Sequence, residues 1–163
     1  MSTQRSEFER LMAQLDYSLF IVTVAAEREL SGCLVGFASQ VSIRPPRFLI
    51  CLSVKNRTFE VAQRAAVLVV HFVPEQAEEL AVLFGGQTGD ETDKFARCDW
   101  REGPAGTPVL TSLPDWFAGR ILERLDFGDH WGVLLEPIEG EARRSGPPLT
   151  FRGAKWIEPG HEP

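Results

Sequence analysis

The sequence lacks the long apolar runs and paired cysteines that would assign it to several broad classes. No stretch approaches the roughly 18 consecutive apolar residues that cross a bilayer, and the polar residues 1–10 contain no signal-peptide core. The three cysteines, Cys33, Cys51 and Cys98, form no CxxC pair, which argues against a zinc clip or a thioredoxin-type couple. These absences predict a cytoplasmic protein without a membrane segment.

Basic charge is also scarce. The 163 residues carry 17 Lys+Arg against 23 Asp+Glu, a formal net charge of −6, whereas nucleic-acid binding requires clustered cations. The pair Arg143-Arg144 stands beside Glu139 and Glu141 and is interpreted as solvated surface. With 44% hydrophobic and 25% charged residues, the composition is that of a soluble globular protein. We therefore expect one domain over residues 1–163 and no nucleic-acid partner.

The common catalytic signatures are missing as well. There is no GxGxxG after a strand, P-loop lysine motif, GxSxG or HExxH. Of three histidines, His161 lies in the tail and His71 in an apolar run, where a buried core histidine is expected. Only one histidine then remains as a candidate ligand, which argues against a three-histidine metal site. Cys33 and Cys51 lie in apolar runs and are predicted to pack in the core.

Hydrophobic patterns predict a mainly β fold with inserted helices. An amphipathic helix over 4–16 is expected to pack on the body through Phe8, Leu11, Met12 and Leu15. Strands are predicted at 19–26, 32–43, 48–54, 65–72, 117–126, 130–138 and 148–157. Because regular strand–helix alternation is absent, this order favours a closed barrel with helical excursions over a doubly wound fold.

Two further helices lie between the predicted strands. Asn56 is a candidate N-cap for a helix that turns Phe59 and Ala62 inward. Pro74 suits a first helical position, and Gly85-Gly86 suits the end of that helix. Its apolar face would comprise Ala77, Leu80, Ala81 and Phe84.

Two segments are predicted outside regular elements. Residues 86–108 are polar and turn-rich, and so long a loop, with one helical turn at Lys94-Phe95, is typical of a functional lid. Residues 91–93 in this loop are a candidate contribution to a ligand cleft. The tail, residues 158–163, is expected to be frayed.

One candidate site combines the run Gly36 to Ser42 with the run Lys55 to Thr58. Small residues expose backbone N–H groups, serines add hydroxyls, and Lys55 and Arg57 add positive charge at a helix start. These are the components of a phosphate site. A merely polar loop is the alternative.

A second candidate is the turn Gly128-Asp129-His130-Trp131, which brings a histidine to the start of a strand. Such a histidine can hydrogen-bond a ligand or relay protons, and an ordinary surface histidine is the alternative.

Larger portions of the sequence resemble the flavin reductase-like family, whose members share the FMN-binding split-barrel fold. The resemblance rests on motifs whose order and spacing together are fairly specific, and it spans about residues 17–157. The motifs are Gly32 to Pro46, Phe48 to Leu52, Lys55 to Thr58, Val69 to Phe72, Gln76 to Phe84, Lys94-Phe95, Gly106 to Leu110, Gly128 to His130, Leu149 to Gly153 and Trp156.

The resemblance implies a set of binding residues. Along the isoalloxazine edge it would place Leu34, Val35, Gly36, Phe37 and Ala38. Near the ribityl chain and phosphate it would place Ser39, Gln40 and Ser42, with Lys55, Asn56, Arg57 and Thr58 in the loop that holds the phosphate. Phe84 would neighbour the ring, His130 would position the nicotinamide or relay a proton, and Trp156 would border the same cleft. No metal ligand is implied.

The sequence departs from the family pattern at three positions. Relatives often carry Thr and Asn or Ser where this chain has Leu34 and Gly36, and an acidic or amide residue where it has Arg44. These differences leave open a pocket tuned to another flavin or to a deazaflavin.

The function implied is an NAD(P)H-dependent flavin reductase that passes a hydride from nicotinamide to flavin. FMN is the expected flavin with FAD as an alternative, NADH or NADPH is the donor, and a monooxygenase is a candidate partner. The family also implies a homodimer that completes the cleft across its interface. Two other functions remain open: a non-catalytic or electron-carrying FMN-binding flavoprotein, and a structural dimer module without cofactor.

Overall fold

The computed structural model describes residues 2–86 and 93–159 as a large antiparallel sheet with a few helices. The strands are β1 (Phe20–Ala26), β2 (Glu29–Val35), β3 (Ala38–Ser42), β4 (Arg47–Ser53), β5 (Val67–Phe72), β6 (Trp100–Glu102), β7 (Pro108–Leu110), β8 (Trp116–Asp126) and β9 (His130–Glu141). The α-helices are α1 (Ser2–Met12), α2 (Arg57–Ala62) and α3 (Glu78–Gly85), and single-turn 3-10 helices cover Lys94–Ala96, Pro104–Gly106 and Arg152–Ala154.

Seven strands form the sheet in the order β2-β1-β5-β8-β9-β4-β3. Its two edge strands, β2 and β3, are consecutive in the chain and joined only by Gly36 and Phe37. At this crossing the Cys51 N–H of β4 donates to the Phe37 carbonyl at 2.9 Å. The sheet therefore curves until its edges approach each other at Gly36 and Phe37.

Apolar residues pack on both faces of strand β1. Val22 and Val24 point into one buried cluster with Ile50 and Leu135, whereas Ile21 points into a second cluster beneath α3. Successive side chains of a strand face opposite sides, so burial on both sides explains the uninterrupted apolar run of β1. Each fully buried large aliphatic side chain contributes about 1.5–3 kcal/mol.

His71 is a core residue, as expected. It is fully buried, its Nδ1 lies 2.9 Å from the Ile21 carbonyl, and its Nε2 accepts the Leu110 N–H at 2.9 Å. Because Nε2 accepts, the ring proton sits on Nδ1 and is donated to Ile21. Burial lowers the pKa of His71 to about 4, so the imidazole joins three segments as a neutral group.

Much of the predicted architecture is confirmed. The chain is mainly β with inserted helices, and the predictions for β1, β4, β5, β8 and β9 hold to within a few residues. The Asn56 side chain caps α2 by accepting the Thr58 N–H at 2.9 Å. Helix α3 ends at Gly85 with Gly86 as its C-cap.

Two strand predictions are wrong. Residues 148–157 contain only isolated bridges, at Pro148 and Thr150, and a 3-10 turn, because prolines lack the N–H that a ladder requires. The run 32–43 is two strands rather than one, since the chain changes sheet edge at Gly36 and Phe37.

Both outer helix predictions also need correction. Helix α3 begins at Glu78, four residues after Pro74, which instead bridges Pro148. Helix α1 ends at Met12, and its apolar side chains do not pack on the body: Phe8 is 60% exposed and Leu11 is 56% exposed. Leu15, beyond the end of the helix, is also exposed. Helical spacing shows that a face is apolar but not what covers it.

The segment predicted as a long loop is partly regular. Within residues 93–108, the predicted turn at Lys94-Phe95 is the first 3-10 helix, and β6 pairs with β7. Residues 91 and 92, part of the candidate cleft contribution, lie outside the described residues, as do His161 and the rest of 160–163. Across the described ranges, no helix is long and apolar enough to cross a membrane.

Candidate functional site

A cavity of about 390 Å³ opens where the two sheet edges meet. Its wall is built from the end of β2 and the crossing after it, the end of β4 and the loop into α2, the end of α3, and the segment after residue 150. Nine predicted binding residues line it: Leu34, Val35, Gly36, Phe37, Lys55, Asn56, Arg57, Phe84 and His130. Its volume falls within the range of small-molecule pockets.

Packing explains why Gly36 carries no side chain and places Leu34 against the end of α3. A Cβ on Gly36 would lie 2.7 Å from Cε2 of Tyr17, so the tyrosine ring occupies that space. A Cβ on Gly85 would lie 2.7 Å from Cδ2 of Leu34. The departures at these positions therefore belong to a close-packed arrangement of β2, Tyr17 and the end of α3.

Aromatic rings form one side of the cavity. Tyr17 stacks on Phe151 with ring centres 5.0 Å apart, and Phe37 lies 5.0 Å from the His130 ring. Phe37 is 55% exposed, so its ring offers apolar surface to a ligand at the cavity. Such walls suit a flat aromatic ligand.

His130 is oriented by its neighbour in sequence. Its Nδ1 lies 2.8 Å from Oδ1 of Asp129, which faces solvent, and this hydrogen bond holds the pKa of the Asp129 carboxyl below its usual range. The Val54 N–H donates to the Asp129 carbonyl at 3.0 Å, which fixes the turn against β4. With Nδ1 engaged by Asp129, Nε2 is the nitrogen left for a ligand.

The cations of the loop into α2 differ in their surroundings. Lys55 is exposed at the cavity. Arg57 is held by Glu29, which accepts its Nε–H at 2.7 Å, and by Glu60. Glu29 also accepts from Arg64 at 2.9 Å, and this hydrogen bond is the largest cause that lowers the pKa of the Glu29 carboxyl. Arg57 thus enters the cavity wall with its charge already partly neutralised.

Six predicted binding residues do not line the cavity. Ser39 and Gln40 are exposed on edge strand β3 and hydrogen-bond to their own strand. The hydroxyl of Thr58 is buried 2.9 Å from the Ser31 hydroxyl. Trp156 is 56% exposed and donates to the Gly153 carbonyl. Ala38 and Ser42, both half-buried on β3, are also outside the lining.

Sequence patterns missed several lining residues. Tyr17, Phe151 and Ile157 flank elements whose relative placement no local pattern specifies. The prediction that Cys51 packs in the core is wrong: it is half-buried and lines the cavity, because its strand reaches the cavity at the sheet crossing. Cys33, as predicted, is buried in the core, although it too borders the cavity.

Lys94 is the most unusual of the missed residues. It lines the cavity yet is only 4% exposed. Its Nζ donates to the carbonyls of Gly32 at 3.0 Å and Phe84 at 3.2 Å and lies 5.5 Å from the centre of the Phe84 ring. Burial lowers the pKa of this ammonium.

Comparison with known proteins gives this site a context. The family model described as "Flavin reductase like domain" matches residues 12–156. The reductase subunit HsaB of a flavin-dependent monooxygenase from Rhodococcus jostii is 30% identical over 159 residues, covering 93% of this chain and 77% of that protein. The FMN reductase (NADH) RutF of Klebsiella pneumoniae is 28% identical, covering 98% of this chain and 93% of the relative.

Solved structures show the same fold. A flavin reductase domain protein from Arthrobacter superposes with a TM-score of 0.81 at 24% identity, over 90% of each chain. The flavin reductase HpaC, solved with NADP+, superposes with a TM-score of 0.79 at 24% identity, over 90% of this chain and 92% of that one. The curved antiparallel sheet is therefore an arrangement that flavin reductase domains share.

Proposed function

The chain belongs to the flavin reductase-like family, and on that basis we propose that it is an NAD(P)H-dependent flavin reductase that uses FMN. The observation that carries the proposal is the cavity at the sheet crossing, which combines apolar and aromatic walls with cations from the loop into α2. The FMN reductase (NADH) name of its relative supports FMN and NADH, and FAD and NADPH are the alternatives. The curved sheet with adjoining edges supports the split-barrel description.

The residues present fit a flavin. Phe84 and Leu34 would pack against the ring, whose polar edge would meet backbone groups of Gly36 and Phe37. Lys55 and Arg57 would hold the phosphate, as cations at a cavity mouth suit an anion. Ala38, Ser39, Gln40, Ser42, Thr58 and Trp156 stay predicted contacts that require a ligand or partner to bring them into the site.

The bound flavin would supply the redox chemistry by accepting a hydride from the reduced nicotinamide. The protein's own contribution is to hold two rings face to face and to exclude water. His130 would position the nicotinamide beside Phe37 or relay a proton through Nε2, with Asp129 fixing the imidazole. Orientation at near-attack distance supplies several kcal/mol without any covalent step on the protein, up to about 7–11 kcal/mol in the best cases.

The proposal extends to partners. The reductase subunit and reductase component names of relatives support supply of reduced flavin to a monooxygenase. Exposed apolar side chains such as Ile43 and Phe127 support a homodimer. We also propose a cytoplasmic location, consistent with three free cysteines.

A steady-state assay tests the proposal against its main alternative. We expect oxidation of NADH or NADPH that depends on added FMN and saturates with it. A protein that binds FMN tightly but leaves both nucleotides unoxidised would instead be an electron carrier. Absence of both flavin binding and oxidation would indicate a module without cofactor.

A further inference from the structure

Lys94 is a buried ammonium that has no carboxylate partner among the residues that the structure describes. Its side chain is 4% exposed, and none of the carboxylates in residues 2–86 and 93–159 forms a salt bridge with it. Two backbone carbonyls accept from the ammonium, those of Gly32 on β2 and Phe84 in α3. An ammonium has three protons to donate. Among the described residues, two of them find an acceptor and no anionic group pairs with the charge.

The position of Lys94 suggests which group balances its charge. Buried charges are normally paired, because removing an ion from water is costly. Lys94 borders the cavity together with Phe84, Leu34 and Cys33, the region in which the proposed function places the flavin ring. A ligand that brings negative charge there would interact strongly with the ammonium, since the surroundings are apolar and screening is weak.

We propose that Lys94 is a positioning residue that favours the reduced flavin over the oxidised flavin. The inference rests on the proposed function. Oxidised flavin has a neutral ring; a hydride adds two electrons and one proton, which leaves the reduced ring with one negative charge. The Lys94 ammonium stabilises that added charge, so the cavity binds reduced flavin more tightly and the bound flavin is easier to reduce than free flavin.

A purely structural role predicts something different. The two hydrogen bonds of Lys94 tie β2 and α3 to the 3-10 helix Lys94–Ala96. If that were its whole role, its loss would weaken the fold and the binding of both flavin forms alike. The ratio of the two affinities, which equals a shift in reduction potential, separates the two roles.

The experiment compares wild type with Lys94→Met, which keeps the chain length and removes the charge. FMN bound to each protein is titrated anaerobically with dithionite against a reference dye, and the dissociation constants of oxidised and reduced FMN are measured separately. Lys55→Met is the matched control, because Lys55 is an exposed cation of the same cavity placed toward the phosphate. Dithionite replaces the nicotinamide, so the result does not depend on hydride transfer from NADH.

We expect Lys94→Met to lower the preference for reduced over oxidised FMN about tenfold, equivalent to about 30 mV for a two-electron couple. Lys55→Met should weaken the binding of oxidised and reduced FMN by the same factor. A Lys94→Met protein that binds FMN with an unchanged ratio would overturn the proposal. If that variant does not fold, Lys94→Gln replaces it, because the amide N–H can still donate to a carbonyl while the charge is lost; a lowered preference for reduced FMN supports the proposal and an unchanged ratio contradicts it.

Discussion

At the residue scale, the cavity depends on how its charged groups are already partnered. Sequence alone presents Arg57 as a free cation beside Lys55, yet the structure holds its guanidinium against Glu29 and Glu60. Glu29 lies on β2, distant in sequence, so no local pattern reveals it, whereas Glu60 is three residues from Arg57 on the same helix. Conversely, Lys94 appears in the sequence as part of a polar loop and proves to be buried.

Glu29 should therefore weaken phosphate binding by sharing Arg57. We expect Glu29→Gln to tighten FMN binding about three- to fivefold, in line with the value of a partly exposed charge pair, and to leave riboflavin binding unchanged because riboflavin has no phosphate. Quenching of flavin fluorescence measures both affinities. Glu27→Gln is the control, since Glu27 pairs with Arg64; equal changes for FMN and riboflavin would argue against a phosphate beside Arg57.

His130 should affect the nicotinamide more than the flavin. We expect His130→Ala to raise KM for the nicotinamide donor about tenfold, the equivalent of one lost hydrogen bond of about 1.4 kcal/mol, with FMN affinity within about twofold. Asp129→Asn keeps an oxygen beside Nδ1 and should have a smaller effect. Unchanged donor kinetics in His130→Ala would remove this role for the histidine.

At the element scale, periodicity predicted which segments are strands but not how the chain turns between them. The β8–β9 hairpin follows from two apolar runs and a short turn, whereas the pairing of β4 with β9 joins strands distant in sequence and has no such signal. The break at Gly36 and Phe37 has none either, because it depends on Tyr17 packing over Gly36 from another part of the chain. The same holds for residues 148–157, whose place is set by single bridges to Ser18 and Pro74.

His71, which links β5 to β1 and β7, should make stability depend on pH. Its folded pKa of about 4 lies below the ordinary 6.5, so between these values the unfolded chain binds a proton that the folded protein does not. The stabilisation is thus complete above pH 6.5 and falls by about 3 kcal/mol as the pH drops to 4. Urea unfolding of wild type and His71→Gln should show their difference shrinking over this interval; a constant difference would contradict a neutral buried imidazole.

At the scale of the whole molecule, a single chain leaves several large apolar side chains exposed to solvent. Ile43 is 76% exposed, Phe8 60% and Phe127 58%, and such side chains commonly mark an interface. Composition and periodicity predicted a mainly β chain with inserted helices, and the family resemblance predicted the fold that flavin reductase domain structures share with it. Neither reveals which surface a partner covers, because burial between chains leaves the same pattern as burial within one.

We expect sedimentation velocity to give a mass of twice the 18.2 kDa of one chain. Ile43→Asp, in the turn directly after edge strand β3, should shift the distribution toward single chains, since a buried interface disfavours an unpaired charge. A single-chain mass for wild type at micromolar concentration would contradict the homodimer.

If this cavity brings flavin and nicotinamide together for hydride transfer, an anaerobic absorbance spectrum of the bound flavin will show it. FMN bound to the purified protein is recorded anaerobically before and after addition of NADH, and then of NADPH. We predict loss of the oxidised flavin band with at least one nucleotide, at a rate far above that of the same mixture without protein. A band that persists with both nucleotides while FMN stays bound would show that the cavity does not support hydride transfer from a nicotinamide.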